Sequence, residues 1–557
     1  MTRHSYSETP QGEQPTAAET LPGDALFDEV QWHQAIEEWR DIVGFNAVTE
    51  DKIDLDIAGR AAIPRAHRPG AILRPQTVEQ ISRCLKTAHD FRMPVYPISR
   101  GKNWGYGSAT PATSGQVQID LSQMDRILEI NEELGYAIIE PGVSQGQLAA
   151  ELKRRGSDFM LDVTGAGPDA SIVGNTLERG FGHTPYGDHF RHSCGMQVVL
   201  PSGEVIETGF GGFEGARAKD VFPWGLGPWI DGLFSQSNLG VVTRMTVWLM
   251  RRPEKIQAFA IRLEDETKLP GLINALRDLR MRGVVHSSIH VANDLRVISA
   301  LMGCPGQNVE HREPLSREDR QQLCRETATG SWNVLGAIYG DRRQVAWARR
   351  EINRHLGQFA RPIYFDDRKI RLWESIGRWV GRFDFAKKHV AKLASARSAL
   401  DLVSGVPTSE HLRGAFWRNS SGSANVGSPD SAGLMWLSPV IPMTGDHAER
   451  LLAIVEPTLQ QYGFDPLMTL TSINERAMCA VISINYDRQS AEEAERADRC
   501  YKAMWSLLME AGYPPYRAGI QSMASLAEQH QNQPLLQSIK RALDPSNILA
   551  PGRYIAS

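Results

Sequence analysis

The sequence predicts an α+β protein of two domains, and three observations lead to this fold class. Strand and helix signals alternate through the first half of the chain, where they are joined by glycine-rich loops. The basic stretch 251–253, which ends in proline, closes this pattern, and glycine becomes rarer beyond it. Helices of mixed polarity then alternate with strand-like runs, which is typical of an α+β unit built on an antiparallel sheet.

Composition narrows the class of protein before any motif is considered. The 557 residues include 61 Lys and Arg against 65 Asp and Glu, so the net charge of −4 does not favour nucleic-acid binding. The polar segment 1–25 lacks the order of a signal peptide and is predicted to be a disordered tail. No apolar run reaches the ~18 residues of a membrane helix, and six scattered cysteines form no C-x-x-C pair. We therefore expect a cytoplasmic protein that binds neither membrane nor nucleic acid.

The first unit is predicted to contain short strands and a few helices. One helix is expected at 32–42, and Thr77 caps a second in which apolar residues recur at helical spacing (Val78, Ile81, Leu85 and Ala88). Strands are predicted at 94–98, 116–121 and 136–140, and a hairpin from 198–200 and 205–208. In the last strand of this unit Val241, Met245, Val247 and Leu249 are expected to share one face.

The second unit is predicted to serve as a cap or lid. Its clearest strand-like runs are 256–263 and 433–440. Ser490 and Glu493 form a capping-box pair at the start of a long helix that ends at Gly512. Its buried face is predicted to carry Ala497, Tyr501, Met504 and Leu508.

Three segments of the first unit combine glycine and small hydroxyl residues with almost no carboxylate: 97–108, 173–180 and 235–243. Glycine lets backbone N–H groups approach an anion closely, so each segment could bind a phosphate. Their spacing matches neither G-x-G-x-x-G nor a Walker loop, which argues against a nicotinamide or nucleotide-hydrolysing site. Alternatively, the three segments are ordinary tight turns that bind no ligand.

Four long motifs occur in order along the chain: GKNWGYGSATP from Gly101, GNTLERGFGHTPYGDH from Gly174, GPWIDGLFSQSNLG from Gly227 and DPSNILAPGR from Asp544. In these motifs the chain resembles the vanillyl-alcohol oxidase and p-cresol methylhydroxylase (PCMH) family of FAD enzymes, which includes eugenol oxidases. The resemblance implies a PCMH-type FAD-binding domain made of residues 26–253 and 506–557, with a cap and substrate domain at 254–505 between them.

The resemblance also implies which residues bind FAD, mostly through backbone amides. The implied set comprises Ser99, Gly101, Lys102, Asn103, Gly105, Gly174, Asn175, Gly180, Thr184, Gly187, Asn238, Gly240, Val241 and Arg553.

The substrate of the phenol-oxidising relatives binds as a phenolate, and the matching residues here are Tyr106, Tyr516 and Arg517. Two hydroxyl donors and a guanidinium would lower the phenol pKa from its ordinary value of ~10. Hydride then passes from the benzylic carbon to flavin N5, and water or another nucleophile traps the resulting p-quinone methide. Oxygen or an electron-carrier protein would reoxidise the flavin, and a homodimer or higher homo-oligomer is expected. Without the resemblance, the two tyrosines could simply pack at the edges of the core, and the arginine could form an ion pair with a surface carboxylate.

The chain departs from the family pattern at three places. The tethering histidine of the oxidases is replaced by Leu434 and the tethering tyrosine of the methylhydroxylases by Ala415, so we predict that FAD is bound non-covalently. Gly165 stands where the oxidases carry the carboxylate that helps water to add, and His183 stands where relatives usually have tyrosine. Asp169 or His183 could supply that base, since an imidazole titrates near ~6.5. Alternatively, Asp169 is a solvated turn residue and His183 is a packed, hydrogen-bonded residue, and neither acts as a base.

Other functions stay open from the sequence. His183, His189 and His192 lie close in sequence, but their spacing suits no common zinc pattern, so no metal is expected. The same fold could oxidise or cyclise a larger biosynthetic intermediate, or it could be a degenerate flavin-binding scaffold without catalysis.

Overall fold

The computed structural model of the chain describes residues 28–302, 304, 313–380, 387–418 and 432–556. The predicted tail at 1–25 lies outside the described residues. No helix in these ranges is both long enough and apolar enough to cross a membrane.

The first part of the chain contains five α-helices within the described ranges: α1 (Glu29–Val43), α2 (Lys52–Ala58), α3 (Val78–Asp90), α4 (Gln145–Arg155) and α5 (Ile172–Leu177). Its strands are β1 (Val48–Thr49), β2 (Ile72–Leu73), β3 (Val95–Ile98), β4 (Val117–Asp120), β5 (Ile127–Asn131), β6 (Tyr136–Ile139), β7 (Phe159–Met160), β8 (Ser193–Val199), β9 (Val205–Glu207), β10 (Val241–Trp248) and β11 (Met250–Arg251). The Thr77 hydroxyl caps α3, as predicted, by accepting a hydrogen bond from Gln80 N at 3.2 Å.

These strands form a mixed sheet in the order β1-β2-β4-β3, an antiparallel sheet in the order β5-β6-β10-β8-β9, and a β7–β11 ribbon. The predicted 198–208 hairpin is confirmed, because Val199 pairs with Val205. Residues near the end of the chain return to the first sheet, where Val95 N donates to Ile548 O and Ala550 N donates to Val95 O. The last residues of the chain therefore lie beside the loop that follows β3.

The second part is built on one antiparallel sheet, as the fold class predicts. Its strands are β12 (Lys255–Leu263), β13 (His290–Asn293), β14 (Trp332–Gly340), β15 (Ile363–Phe365), β16 (Gly433–Leu437), β17 (Val440–Pro442), β18 (Leu467–Ser472) and β19 (Ala477–Tyr486). Their order is β15-β12-β14-β13-β18-β19-β16, and β17 also pairs with β19.

The helices of this second part and of the C-terminal segment are α6 (Leu269–Met281), α7 (Asp294–Leu301), α8 (Arg317–Thr327), α9 (Arg342–Leu356), α10 (Asp367–Val380), α11 (Lys387–Val403), α12 (Glu410–Ala415), α13 (Gly445–Gln461), α14 (Ala491–Glu510), α15 (Met523–Gln529) and α16 (Gln533–Leu543). Apolar residues of α6, α9, α13 and α14 form a large core against one face of the sheet. On the opposite face, Ala258 and Ala337 of the sheet pack against Ile370 of α10 and Leu400 of α11. The predicted domain limits stay a prediction.

Two local predictions about strands are wrong in detail. The run 433–440 is broken into β16 and β17 because Pro439 has no N–H for the ladder. The register of β10 shifts between Val242 and Arg244. Val241 therefore packs in the core of the first sheet, whereas Met245 and Val247 pack in that of the second.

The predicted start of α14 is only half present. Ser490 accepts from Glu493 N at 3.2 Å, but the Glu493 carboxylate accepts from Asp487 N at 2.5 Å rather than from the cap residue. The predicted face of α14 is buried, including Tyr501 and Met504.

Candidate active site

A groove runs between the loop after β3, the start of α5, residues 236–242 and the turn at 549–553. It brings together ten of the fourteen residues implied to bind the cofactor: Ser99, Gly101, Lys102, Asn103, Gly174, Asn175, Asn238, Gly240, Val241 and Arg553. The three glycine-rich segments, which are distant in sequence, therefore line one concave site.

The loop after β3 is shaped by glycine and fixed by the cap sheet. Gly105 has φ +69°, and a Cβ there would lie 3.1 Å from Trp436 Cγ, so a side chain is disfavoured both by the backbone conformation and by the close contact. The Gly105 carbonyl accepts from Trp436 N at 3.2 Å, and the Tyr106 carbonyl accepts from Ile520 N at 3.0 Å. The loop is consequently held between β16 and the C-terminal segment.

The remaining residues of the second motif surround a buried carboxylate. Asp162 accepts from His183 N at 3.2 Å and from Thr184 N at 2.6 Å, and its carboxylate lies 2.8 Å from His189 Nε2. Gly187 N donates to the Thr184 carbonyl at 3.0 Å. This network fixes the loop 182–189 beside the groove.

Gly180 stands next to the same network. A Cβ on Gly180 would lie 2.2 Å from Asn175 Oδ1, so the glycine makes room for the Asn175 side chain. Asn175 Oδ1 in turn lies 2.6 Å from His189 Nδ1. Of this motif Gly174 and Asn175 line the groove, whereas Gly180, Thr184 and Gly187 pack behind it or to its side.

Several buried polar atoms among the groove residues have no hydrogen-bond partner in the described part of the protein: Ser108 Oγ, Ser237 Oγ, Asn238 Oδ1, Arg517 Nε and Arg553 Nη1. Buried donors and acceptors are normally paired, so this set indicates a polar ligand. The glycine-rich backbone and Lys102 suit a pyrophosphate in particular. The residues present therefore fit FAD.

Glu178 joins the groove to the C-terminal arginines. Its carboxylate accepts from Arg553 Nη2 at 2.7 Å and from the Tyr554 hydroxyl at 2.5 Å, and it lies 3.6 Å from Arg517 Nη2. Burial alone would raise the pKa of Glu178, but Arg553 and Arg517 outweigh it, so its pKa lies below the ordinary value. Glu178 is thus an anion that holds two guanidinium groups in place.

Tyr106, Tyr516 and Arg517 converge, as the resemblance implies. The guanidinium carbon of Arg517 lies 4.2 Å from the centre of the Tyr106 ring and 5.8 Å from that of Tyr516. Arg517 also donates to Asn103 Oδ1, and the hydroxyls of Tyr106 and Ser438 are 2.6 Å apart. Two hydroxyl groups and one cation therefore share a buried site between the two parts of the fold.

The charges of this cluster follow from its burial. Burial raises the pKa of both Tyr106 and Tyr516, with the neighbouring phenols contributing to the shift of Tyr106, so both remain protonated donors. Burial alone would lower the pKa of Arg517, but the acidic groups of Tyr516 and Glu178 raise it above its ordinary value. Arg517 is consequently a permanent cation.

A short antiparallel contact positions the second tyrosine and the arginine. Tyr516 N donates to the Ser438 carbonyl at 3.1 Å, and Val440 N donates to Pro514 O at 2.9 Å. Gln236 Nε2 donates to the Tyr516 carbonyl at 2.9 Å. The same two residues, Tyr516 and Arg517, also line a second, wider cleft that includes Gly180.

The two positions that carry flavin tethers in the family lie together. Leu434 and Ala415 pack in one apolar cluster with Trp104 and Phe416. Trp104 Nε1 donates to the carbonyl of Ala166, the residue after Gly165, at 3.0 Å. The two tether positions and the residue next to Gly165 are therefore close to the Trp104 side chain.

Sequence reasoning missed Ser438, Glu178 and His290. Glu178 lies inside the second motif but carries a carboxylate in a segment expected to bind an anion, and Ser438 lies outside all four motifs. His290 packs against His183, with ring centres 4.5 Å apart. Asp169 is exposed, and its carbonyl accepts from Arg100 Nε at 2.9 Å. Within the described residues no group of three or more His, Cys, Asp or Glu is placed to hold a metal ion.

Comparison with known proteins identifies the family. Residues 69–209 match the family model described as an FAD binding domain. The chain is 37% identical to 1'-carboxy-chondrochloren decarboxylase of Chondromyces crocatus, over 94% of this chain and 97% of that protein. It is 33% identical to the flavoprotein subunit of 4-cresol dehydrogenase (hydroxylating) of Pseudomonas putida, over 94% and 95%.

Comparison with solved structures identifies the same family. The crystal structure of p-cresol methylhydroxylase with substrate bound superposes with a TM-score of 0.86 at 31% identity, covering 95% of this chain and 98% of that one. The PCMH-type fold predicted from the motifs is thereby confirmed. The groove, its unpaired polar atoms and these relatives together place the chain in the vanillyl-alcohol oxidase and p-cresol methylhydroxylase family, as an FAD-dependent oxidoreductase.

Proposed function

We propose that the protein oxidises para-substituted phenols, which it binds as phenolates. The observation that carries this proposal is the convergence of Tyr106, Tyr516 and Arg517, with the guanidinium 4.2 Å from the Tyr106 ring. Because burial keeps both tyrosines protonated, they can donate to a phenolate oxygen, while Arg517 offsets its charge. Ionisation of the substrate thereby becomes favourable at neutral pH.

The chain's own residues account for the activation of the substrate. A phenolate pushes electron density toward its para carbon, which weakens the benzylic C–H bond. FAD, when bound, supplies the hydride acceptor for that carbon. Glu178 holds Arg517 and Arg553 in place, since its carboxylate contacts both guanidinium groups.

We infer that FAD is held without a covalent bond. The two tether positions are occupied by Leu434 and Ala415, which lie in an apolar cluster and offer no nucleophilic atom. Precipitation with acid should leave the yellow colour in the supernatant, and a coloured pellet would contradict the inference. Oxygen or an electron-carrier protein as acceptor, a homo-oligomer and a cytoplasmic location stay predictions.

Anaerobic titration of the purified holoenzyme tests the main proposal. 4-Ethylphenol should bleach the visible absorption of the flavin, whereas 4-ethylanisole, which has the same benzylic carbon but cannot ionise, should leave it unchanged. Bleaching by both compounds would refute the phenolate step. The absence of bleaching with any 4-alkylphenol would favour a degenerate scaffold or a different substrate.

A second candidate is the oxidation of a larger biosynthetic intermediate with loss of carbon dioxide. It is favoured by the 37% identity to a decarboxylase and by Gly165, which leaves the water-activating carboxylate of the oxidases absent. A quinone methide can draw electrons from an adjacent C–COO⁻ bond, so loss of carbon dioxide gives a vinylphenol without any base. 3-(4-Hydroxyphenyl)propanoate tests this reaction, because it should yield 4-vinylphenol and one equivalent of carbon dioxide. Recovery of only a hydroxylated acid would exclude it for this compound.

A further inference from the structure

The face of the cap sheet that lies opposite its helical core carries a row of polar side chains. Ser438, whose hydroxyl contacts Tyr106, also accepts through its carbonyl from Cys479 Sγ at 3.7 Å. Cys479 pairs with Thr471 on β18, and Thr471 pairs with His290 on β13. Directly paired residues of antiparallel strands point to the same face, so these side chains follow one another across the sheet.

The length of this row fits a phenol with a short side chain. Two steps between strands separate Cys479 from His290, which corresponds to about 10 Å. A phenol ring, its benzylic carbon and one water molecule span a comparable distance. With the phenolate oxygen at Tyr106 and Tyr516, the benzylic carbon would therefore face toward β13 and His290.

His290 has the arrangement that a proton acceptor needs. Its Nδ1 lies 3.0 Å from Thr471 Oγ1, and the His183 ring packs against it at 4.5 Å. Its Nε2 is buried without a hydrogen-bond partner among the described residues. Burial lowers the pKa of His290 to about 4, with Asp162 opposing the shift, so the ring is neutral near pH 7.

The other side chains of the row cannot take this role. Burial raises the pKa of the Cys479 thiol, so no thiolate forms at neutral pH. Thr471 and Ser438 carry hydroxyl groups, which are very weak bases. Gly165 has no side chain, and the exposed Asp169 belongs to a turn whose carbonyl is held by Arg100.

We propose that His290 is a further catalytic residue, whose Nε2 accepts the proton of the water molecule that adds to the benzylic carbon of the quinone methide. Thr471 positions the ring by accepting a hydrogen bond from Nδ1–H, and His183 supports it from the side. The inference rests on the proposed phenol oxidation, in which FAD has already removed the benzylic hydride. In the hydration step the water oxygen bonds to the benzylic carbon, the exocyclic C=C pair returns to the ring as phenolate, and the water proton passes to Nε2.

The products from 4-ethylphenol report this step directly. Its quinone methide gives 1-(4-hydroxyphenyl)ethanol when water adds and 4-vinylphenol when the methyl group loses a proton. His290→Gln should lower the alcohol-to-vinylphenol ratio about tenfold or more, since a general base typically contributes at least that much. His286→Gln is the matched control, because His286 is exposed just before β13 and should leave the ratio unchanged.

A ratio in His290→Gln that stays within twofold of the parent protein overturns the inference, as does a parent protein that forms only 4-vinylphenol. Should His290→Gln fail to fold, Thr471→Val retains the imidazole but removes its hydrogen-bond partner, and the same fall in ratio is expected. An unchanged ratio in that variant overturns the inference. If the parent flavin is not bleached by any phenol, the proposed function fails first and the inference with it.

Binding provides a readout that does not depend on turnover. In calorimetric titrations of the holoenzyme, His290→Gln should weaken the binding of 1-(4-hydroxyphenyl)ethanol about tenfold relative to 4-ethylphenol, because only the alcohol places a hydroxyl at Nε2. Equal affinity changes for the two ligands would overturn the inference.

Discussion

Replacement of Tyr106 by Phe removes one hydroxyl from the buried site and keeps the ring. The Phe ring can still pack beneath Arg517, whose guanidinium carbon lies 4.2 Å from the ring centre, so the fold of the loop should persist. Two hydrogen bonds are lost: the 2.6 Å contact with Ser438 and the expected donation to the phenolate oxygen. The first loss should cost about 1 kcal/mol of folding stability.

The second loss determines the catalytic effect. A donor to a charged acceptor in a buried site contributes about 2 kcal/mol, so flavin reduction by 4-ethylphenol should slow about 30-fold. Anaerobic stopped-flow measurement of flavin bleaching gives this rate. Tyr364→Phe is the control, since it removes a cap-domain hydroxyl that donates to Asn353 at 3.0 Å on the helical side of the sheet, and the rate should not change. Equal rates in Tyr106→Phe and the parent protein would refute the role of the hydroxyl.

Three further predictions concern stability. Glu178→Gln should lower the free energy of unfolding in urea by about 2 to 3 kcal/mol, because it leaves two buried guanidinium groups without their anion; a loss below about 0.5 kcal/mol would contradict the assigned charge compensation. Gly105→Ala should lower the free energy of unfolding by about 2 to 4 kcal/mol. Gly156→Ala, with a similar φ of +65° but open space around it, should lower it by only about 1 kcal/mol. Equal losses of stability in thermal unfolding would show that the contact with Trp436 is unimportant. The pKa of His290 is about 4 in the folded protein and near 6.5 in the unfolded chain, so its contribution to stability is complete above pH 6.5 and decreases by up to about 3 kcal/mol as the pH falls to 4. Urea titrations of His290→Gln at several pH values should lack that part of the acid dependence. The same dependence of unfolding free energy on pH in both proteins would show that the His290 side chain is solvated.

Local signals were sufficient for much of the fold. The helix capped by Thr77, the 198–208 hairpin and the buried face of α14 depend on residues within one or two turns of chain, and all three are present. The break at Pro439 was missed because the run 433–440 is mostly apolar, although the missing N–H of proline is a sufficient cause. The shift in β10 depends on pairing with β8, which no single segment reveals.

The site was accessible to sequence reasoning only through the motifs. Tyr106 and Arg517 are 411 positions apart in the sequence, and periodicity cannot predict that they meet. The resemblance supplied that contact, and the structure shows the guanidinium over the ring. His290 belongs to no motif and lies beside the apolar residues Ile289 and Val291, so only its pairing with Thr471 shows that it shares a sheet face with Thr471 and Cys479.

Three positions that depart from the family pattern, Leu434, Ala415 and Gly165, lie around the Trp104 side chain, and this arrangement has a chemical consequence. Leu434 and Ala415 pack around Trp104, and the Gly165 backbone is adjacent to the residue that accepts the Trp104 indole N–H. Leu434, Ala415 and Gly165 themselves therefore offer no base and no nucleophile to a quinone methide.

A basic nitrogen is instead available at the β13 end of the row of polar side chains, on His290 with His183 beside it. The fate of the quinone methide should then depend on its side chain. A substrate whose benzylic carbon is open to water near His290 would be hydrated, whereas a substrate with an adjacent carboxylate could lose carbon dioxide without any help from a base. If both 4-ethylphenol and 3-(4-hydroxyphenyl)propanoate give vinylphenol in the parent protein and in His290→Gln alike, the imidazole has no part in the outcome. If only the first substrate responds to the substitution, the same site carries out both reactions and the substrate selects between them.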